Sequence, residues 1–192
     1  MNSRTSGALT ALAIVLTLGC SAGPKVRSDY DRSADFGSYH TFNFVTTPGT
    51  EKVGYSTLVT QHIETAVTEQ MQSRGYQRSD TPDLLVNFSG RLQEKQEVQS
   101  APGPAYYGYR TYGAWAGYGG SVYTVNYTEG TLNIDVIDAR RMQMVWEGVG
   151  IGEVSQKDLE NQQAAIRKAV ADVFSRYPFR AGQAQLIEIA SK

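Results

Sequence analysis

The sequence predicts an α+β fold, a two-layer sandwich in which a mainly antiparallel sheet carries two helices on one face. Three observations predict it. Segments within 39–45, 84–92 and 130–136 alternate apolar and polar residues with the two-residue period of half-buried strands. Ser56 to Arg74, and the stretch after Ser155, repeat apolar residues every three or four positions. Helices with a single apolar stripe have one face to bury, so both can lie on the same side of a sheet.

Each element has its own local cause. An extended stretch begins at Val26, followed by Asp29-Tyr30-Asp31-Arg32-Ser33-Ala34-Asp35-Phe36. The strand at Tyr39–Val45 places Phe42 and Phe44 on one face, Thr41 and Asn43 on the other, and Thr47-Pro48-Gly49 ends it. The helix from Ser56 to Arg74 has Val59, Ile63, Ala66, Val67 and Met71 as its apolar stripe. Ser56 or Thr57 is placed to cap its start, and Gly75 to end it in a left-handed conformation. Leu84, Val86 and Phe88 alternate along a strand expected to reach Leu92. A hairpin follows, with Leu132, Ile134 and Val136 on one arm, a turn at Asp138-Ala139-Arg140-Arg141, and a return from Met142 to Ile151. Ser155 and Asp158 have capping-box spacing. The helix beyond them presents Ile166, Ala169, Val170, Val173, Phe174 and Tyr177, and Pro178 is expected to stop it. Residues 181–192 read as a loose C-terminal tail.

The chain has 192 residues, 41% hydrophobic and 19% charged, enough for one domain whose core needs neither disulfide nor metal. Its formal net charge is −1 and its basic clusters are pairs such as Arg140-Arg141, which argues against nucleic acid as a partner.

The N-terminus carries the sharpest signal. After the weakly basic Met1-Asn2-Ser3-Arg4, an apolar run extends from Ala8 to Leu18, interrupted by Thr10 and Thr17. It is well short of the ~20 residues that cross a bilayer as a helix, and it suits the core of a secretory signal peptide. Leu16-Thr17-Leu18-Gly19-Cys20 resembles a lipobox, where bacteria attach diacylglycerol to cysteine before cleavage; Gly19 and Cys20 match it well, Thr17 and Leu18 less so. Cys20 is the chain's single cysteine. The expected organisation is a lipoprotein signal peptide at 1–19, a lipidated cysteine with tether at 20–25, and an α+β domain at 26–180. Each buried methylene contributes about 0.8 kcal/mol, so two or three acyl chains anchor the chain durably. Ser21 rather than aspartate follows the cysteine, which by the usual Gram-negative sorting rule implies the outer membrane, facing the periplasm.

Known chemistries find little support. Asp29, Asp31 and Asp35 begin like a calcium loop, but Ala34 and His40 stand where its glycine and glutamate belong, so a turn with carboxylates capping backbone amides is the simpler reading. His40 and His62 have no second ligand at metal spacing, and no nucleophile elbow occurs. Gly148, Gly150 and Gly152 lie between strand and helix, but Glu153 replaces the glycine of a dinucleotide fingerprint; a bend or bulge at the strand end explains them better. Neither catalytic residues, metal ligands nor a cofactor are expected.

The segment 102–127 differs from the rest. It holds Tyr106, Tyr107, Tyr109, Tyr112, Trp115, Tyr118, Tyr123 and Tyr127 among many glycines. Tyrosine covers large flat area and keeps a hydroxyl for hydrogen bonding, so Tyr106, Tyr107, Tyr109, Tyr112, Trp115, Tyr118 and Tyr123 are candidate contacts for a glycan or another envelope protein. Against this, glycine- and tyrosine-rich stretches are often just mobile low-complexity loops, and that simpler reading stands first.

Several segments, in order, resemble the bacterial lipoprotein family called domain of unknown function 4136. They are Asp29-Tyr30-Asp31, Ala34-Asp35-Phe36, Tyr39-His40-Thr41-Phe42, Asp83-Leu84-Leu85-Val86-Asn87-Phe88, Glu129-Gly130-Thr131-Leu132-Asn133-Ile134-Asp135, Val145-Trp146-Glu147-Gly148 and Tyr177-Pro178. The resemblance implies an envelope lipoprotein of unassigned function and offers no catalytic residues. The expectation is a non-enzymatic module for binding or envelope assembly, held to the membrane by lipid. The alternative is a hydrolase or transferase acting on cell wall or glycan, with residues assembled only by the fold.

Overall fold

The computed structural model describes residues 23–46, 48–49, 57–101 and 121–183. In chain order these form β1 (Lys25–Tyr30), a 3-10 turn (Phe36–Ser38), β2 (Thr41–Phe44), α1 (Leu58–Ser73), β3 (Gln77–Arg78), β4 (Leu84–Ala101), β5 (Ser121–Asp138), β6 (Gln143–Glu153), α2 (Gln156–Glu160) and α3 (Gln162–Phe174). The strands make one six-stranded sheet in the order β1-β6-β5-β4-β2-β3. The pairs β1–β6, β6–β5 and β5–β4 are antiparallel, while β2 runs parallel to both β3 and β4. The parallel edge follows from α1: a helical connection returns the chain to the end where β2 began.

The α+β sandwich read from the sequence is the observed architecture. Alternation puts Leu84, Val86 and Phe88 of β4 and Ile134 and Val136 of β5 on one face, all fully buried. Ile63, Ala66, Val67 and Met71 of α1 and Val170, Val173 and Phe174 of α3 close over them in the same core.

Thr57 caps α1, its Oγ1 accepting the Thr60 N–H at 3.1 Å. The buried stripe begins at Thr60, not at Val59 as expected, and Val59 remains 37% exposed. Both residues stand at helical spacing from Ile63. Thr60 can be buried because its hydroxyl meets that of Thr57 at 3.0 Å. Gly75 ends the helix at φ +89°, and the Tyr76 and Gly75 amides donate to the Met71 and Gln72 carbonyls.

The second helical stretch is two helices. Ser155 and Asp158 complete a capping box on α2, but Asn161 leaves helical geometry before α3 begins. Gly148 and Gly150 give α3 its seat on β6. A Cβ on Gly148 would run into the Trp146 ring and come within 2.6 Å of Val173 Cγ1, and one on Gly150 within 2.8 Å of Val173 Cγ2. They permit close approach of helix to strand rather than the bend expected of them. The irregularity lies elsewhere: the β5–β6 register shifts between Val136 and Ile137, leaving Val145 as the extra residue of β6. That bulge accounts for Val145 and Trp146 being buried in succession.

α3 ends at Phe174, before Pro178, and Tyr177 and Phe179 turn into the core. The residues just beyond are held: the Ala181 amide donates to Arg74 O at 3.0 Å and the Gly182 amide to Tyr39 O at 3.1 Å. Residues 181 and 182, expected to begin a loose tail, are thus tied to the domain, and residues 184–192 lie outside the described ones. Among the described residues no helix is long and apolar enough to cross a membrane.

Candidate interaction surface

The long hairpin of β4 and β5 is the feature that the expected boundaries concealed. The strand expected to fade near Leu92 continues to Ala101, and β5 begins at Ser121, inside the segment 102–127 set apart by composition. β6 accompanies β5 from Asp138 only as far as Glu129. The outer eight pairs, Glu94↔Thr128 to Ala101↔Ser121, form a two-stranded arm about 27 Å long at ~3.4 Å per residue. At its base Lys95 Nζ meets Glu129 Oε1 at 2.8 Å. The hydrogen bond from Lys95 to Glu129, with the attraction between their charges, raises the lysine's pKa. Val98 and Tyr123 are exposed along the arm, and Leu92 lies exposed where it leaves the sheet.

Of the residues singled out for contact, Tyr123 is placed on β5 and is half exposed. Tyr106, Tyr107, Tyr109, Tyr112, Trp115 and Tyr118, like the lipidation candidate Cys20, lie outside the described residues. What the structure gives is the frame: the chain between Ala101 and Ser121 starts and ends at the tip of the arm.

The sheet face turned away from the helices holds a row of acids. Asp29, Glu147 and Asp135 stand in register on β1, β6 and β5, with Asn87 next on β4. Like charges directly opposite one another are unfavourable. Burial raises the pKa of Asp135, partly offset by the hydrogen bond that Asn87 Nδ2 donates to its Oδ2 at 3.1 Å. Among the described residues no three His, Cys, Asp or Glu side chains group as metal ligands.

The remaining polar clusters hold the fold. Asp31 Oδ1 accepts from the Ser33 amide and hydroxyl, and Asp35 Oδ1 from the Gly37 amide, as capping carboxylates of a turn. Asp83 Oδ2 accepts from the His40 and Thr41 amides and the Thr41 hydroxyl, tying β2 to the start of β4. Asp138, at the end of β5, accepts from the Tyr39 hydroxyl at 2.8 Å, from Arg141 Nε at 2.8 Å and from the amides of Arg140 and Arg141. Burial pushes its carboxyl up, but these donors more than offset it and its pKa falls to about 2. His40 lies just before β2 and His62 within α1.

An α+β sandwich with a projecting two-stranded arm is thus the class that the geometry defines. The family described as Domain of unknown function (DUF4136) matches residues 26–179, and the chain belongs to it. A crystal structure of a DUF4136 family protein from Bacteroides thetaiotaomicron is similar at TM-score 0.51 and 18% identity, covering 83% of this chain and 98% of that one. That likeness concerns the fold alone. A PelC dodecamer from Paraburkholderia phytofirmans aligns at TM-score 0.46 and 12% identity over 84% of this chain and 100% of that one. A minor lipoprotein from Acinetobacter baumannii aligns at 0.34 and 12% identity, over 73% and 89%. At those scores neither likeness bears on role. No curated protein matches the chain.

Proposed function

We propose that this protein is an outer-membrane lipoprotein facing the periplasm, anchored through Cys20, that binds a partner or supports envelope assembly without catalysing a reaction. The observation that carries this reading is Cys20 itself, the chain's single cysteine, at the end of a signal-like apolar run and just before β1. The topology supports it. Lys25 pairs with Ile151, which pairs on its other side with Thr131, so β1 starts at the end of the sheet from which the arm projects. From Thr131 to Ser121 is about 34 Å of strand, whereas the chain from Cys20 to Lys25 spans at most about 18 Å. The arm therefore outreaches the tether, and its tip comes within reach of the anchoring membrane and of proteins or glycans at its surface. The five tyrosines and Trp115 between Ala101 and Ser121 suit such a boundary, having an apolar body and a polar edge.

Intact mass and membrane fractionation of the expressed chain beside Cys20→Ser test the anchor. Loss of residues 1–19 with added acyl mass, and release or failed processing of the variant, are expected. An unmodified, soluble protein in both samples overturns the reading.

A further inference from the structure

We propose that the outer edge of β5 pairs with the same edge of a second copy of this chain, joining two arms into one four-stranded sheet. The inference does not depend on lipid at Cys20.

The edge arises where β6 stops. The capping box at Ser155 turns the chain into α2, so β6 cannot continue alongside β5. Its last link is the Val154 amide donating to Thr128 O at 2.8 Å. The Thr128 backbone therefore faces the β6 side, and by the two-residue period so do the amides and carbonyls of Val122, Thr124 and Asn126. Among the described residues no strand pairs with them on that side.

The two edges of the arm are built differently. Glu94, Lys95 and Glu97 put charges along β4, the usual means of keeping an edge unpaired. Ser121–Thr128 carries no charge and no proline, and β-branched and aromatic residues dominate it. This composition selects the occupant. A strand paired antiparallel with its own copy meets the same residues, and here the copy sets no like charges opposite one another. A two-stranded ribbon alone is marginal, and three or more strands are needed for independent stability. Two arms joined at β5 supply four.

The register follows from the free edge. With the two-fold axis normal to the sheet, the backbones of Val122, Thr124 and Asn126 all find partners only when Thr124 lies opposite its own copy and Val122 opposite Asn126 of the copy. A shift of one residue pair toward the base would set the copy's Val122 against Thr128, whose carbonyl already accepts from Val154. Hydrogen-bonded pairs have Cα atoms about 5.5 Å apart, within the range a disulfide bridges.

The test is oxidative cross-linking of the full chain, with the unsubstituted chain as the baseline for any disulfide through Cys20. Thr124→Cys is expected to give a disulfide dimer as the main species, and Val98→Cys, exposed on β4, at least tenfold less. Adding Asn126→Pro removes an amide that faces the partner and leaves the β4 ladder intact; it is expected to cut the Thr124→Cys dimer at least tenfold with an unchanged thermal midpoint. If that midpoint falls, Asn126→Lys replaces it in the same comparison. A benzophenone side chain at position 125 reads the occupant by mass: a product of twice the chain mass supports self-pairing. Monomer throughout, equal dimer from Val98→Cys, or a cross-linked product of any other mass overturns it.

Discussion

The rings of Phe36 and Phe179 lie face to face, their centroids 3.4 Å apart and their planes 3° from parallel. Tyr39 meets Phe36 edge-on at 5.8 Å, and Tyr177 meets Phe179 edge-on at 5.4 Å. One side of this stack comes from the turn before β2 and the other from the chain after α3. It therefore fastens the C-terminal part of the domain to its first half.

Removing that contact should be costly. Phe179→Ala leaves a cavity beside Phe36 and is expected to lower stability by about 3–5 kcal/mol, the range for large-to-small changes at buried aromatics. Urea unfolding measures it. A loss under 1 kcal/mol would mean that the stack contributes little.

Gly148 is expected to reject even a methyl group. Gly148→Ala forces the Trp146 ring or Val173 to move, at about 1–3 kcal/mol for an overpacked core. Gly23→Ala, with nothing within 4 Å of the added carbon, is the matched control and should be neutral. Equal midpoints for the two variants would contradict the close seating of α3 on β6.

Asp138 ties stability to acid. Its carboxyl falls from an ordinary 3.8 to about 2 in the folded chain, so its contribution is complete above pH 4 and lost as pH drops through 2. The difference corresponds to about 2 kcal/mol, at 1.36 kcal/mol for each tenfold change in proton affinity. Asp138→Asn should be less stable than the parent at pH 7, and the gap should narrow toward pH 2. Unfolding curves at pH 7, 4 and 2 decide this.

Asp135 should behave with the opposite sign. Burial raises its folded pKa, so the charged form is disfavoured in the fold and stability declines as pH rises through the ordinary carboxylate range. Asp135→Asn keeps an oxygen to accept from Asn87 and removes a charge opposite Glu147. It is expected to be more stable than the parent at pH 7, with the advantage vanishing below pH 3. A variant less stable at pH 7 would show that the row of acids helps the fold.

Much of this architecture is legible in residue periodicity. Phe42 and Phe44, or Leu84, Val86 and Phe88, can point inward together only on strands, and Thr57 and Gly75 mark the ends of α1 by chemistry that acts locally. Four features escaped for tertiary reasons. Val59 and Thr60 fit the apolar stripe equally by spacing, and only the meeting of the Thr57 and Thr60 hydroxyls decides between them. The glycines of β6 answer to a helix that follows in sequence but packs back across the strand. The break at Asn161 divides a stretch that reads as one helix. The arm was hidden because β4 turns polar beyond Arg91 when both its faces meet water, and because Ser121–Tyr127 shares the tyrosines of the preceding segment. Its alternation of Val122, Thr124 and Asn126 with Tyr123, Val125 and Tyr127 is the signal that could have found it. Of the candidate contacts, only Tyr123 falls on a described element.

β1 is a border strand, and six register pairs with β6 hold it, from Lys25↔Ile151 to Tyr30↔Trp146. The chain enters it directly from Pro24. Tension transmitted through that point loads the six pairs in shear, so they share the force instead of opening one after another. The anchor proposed at Cys20 would pull on the sandwich through these six pairs.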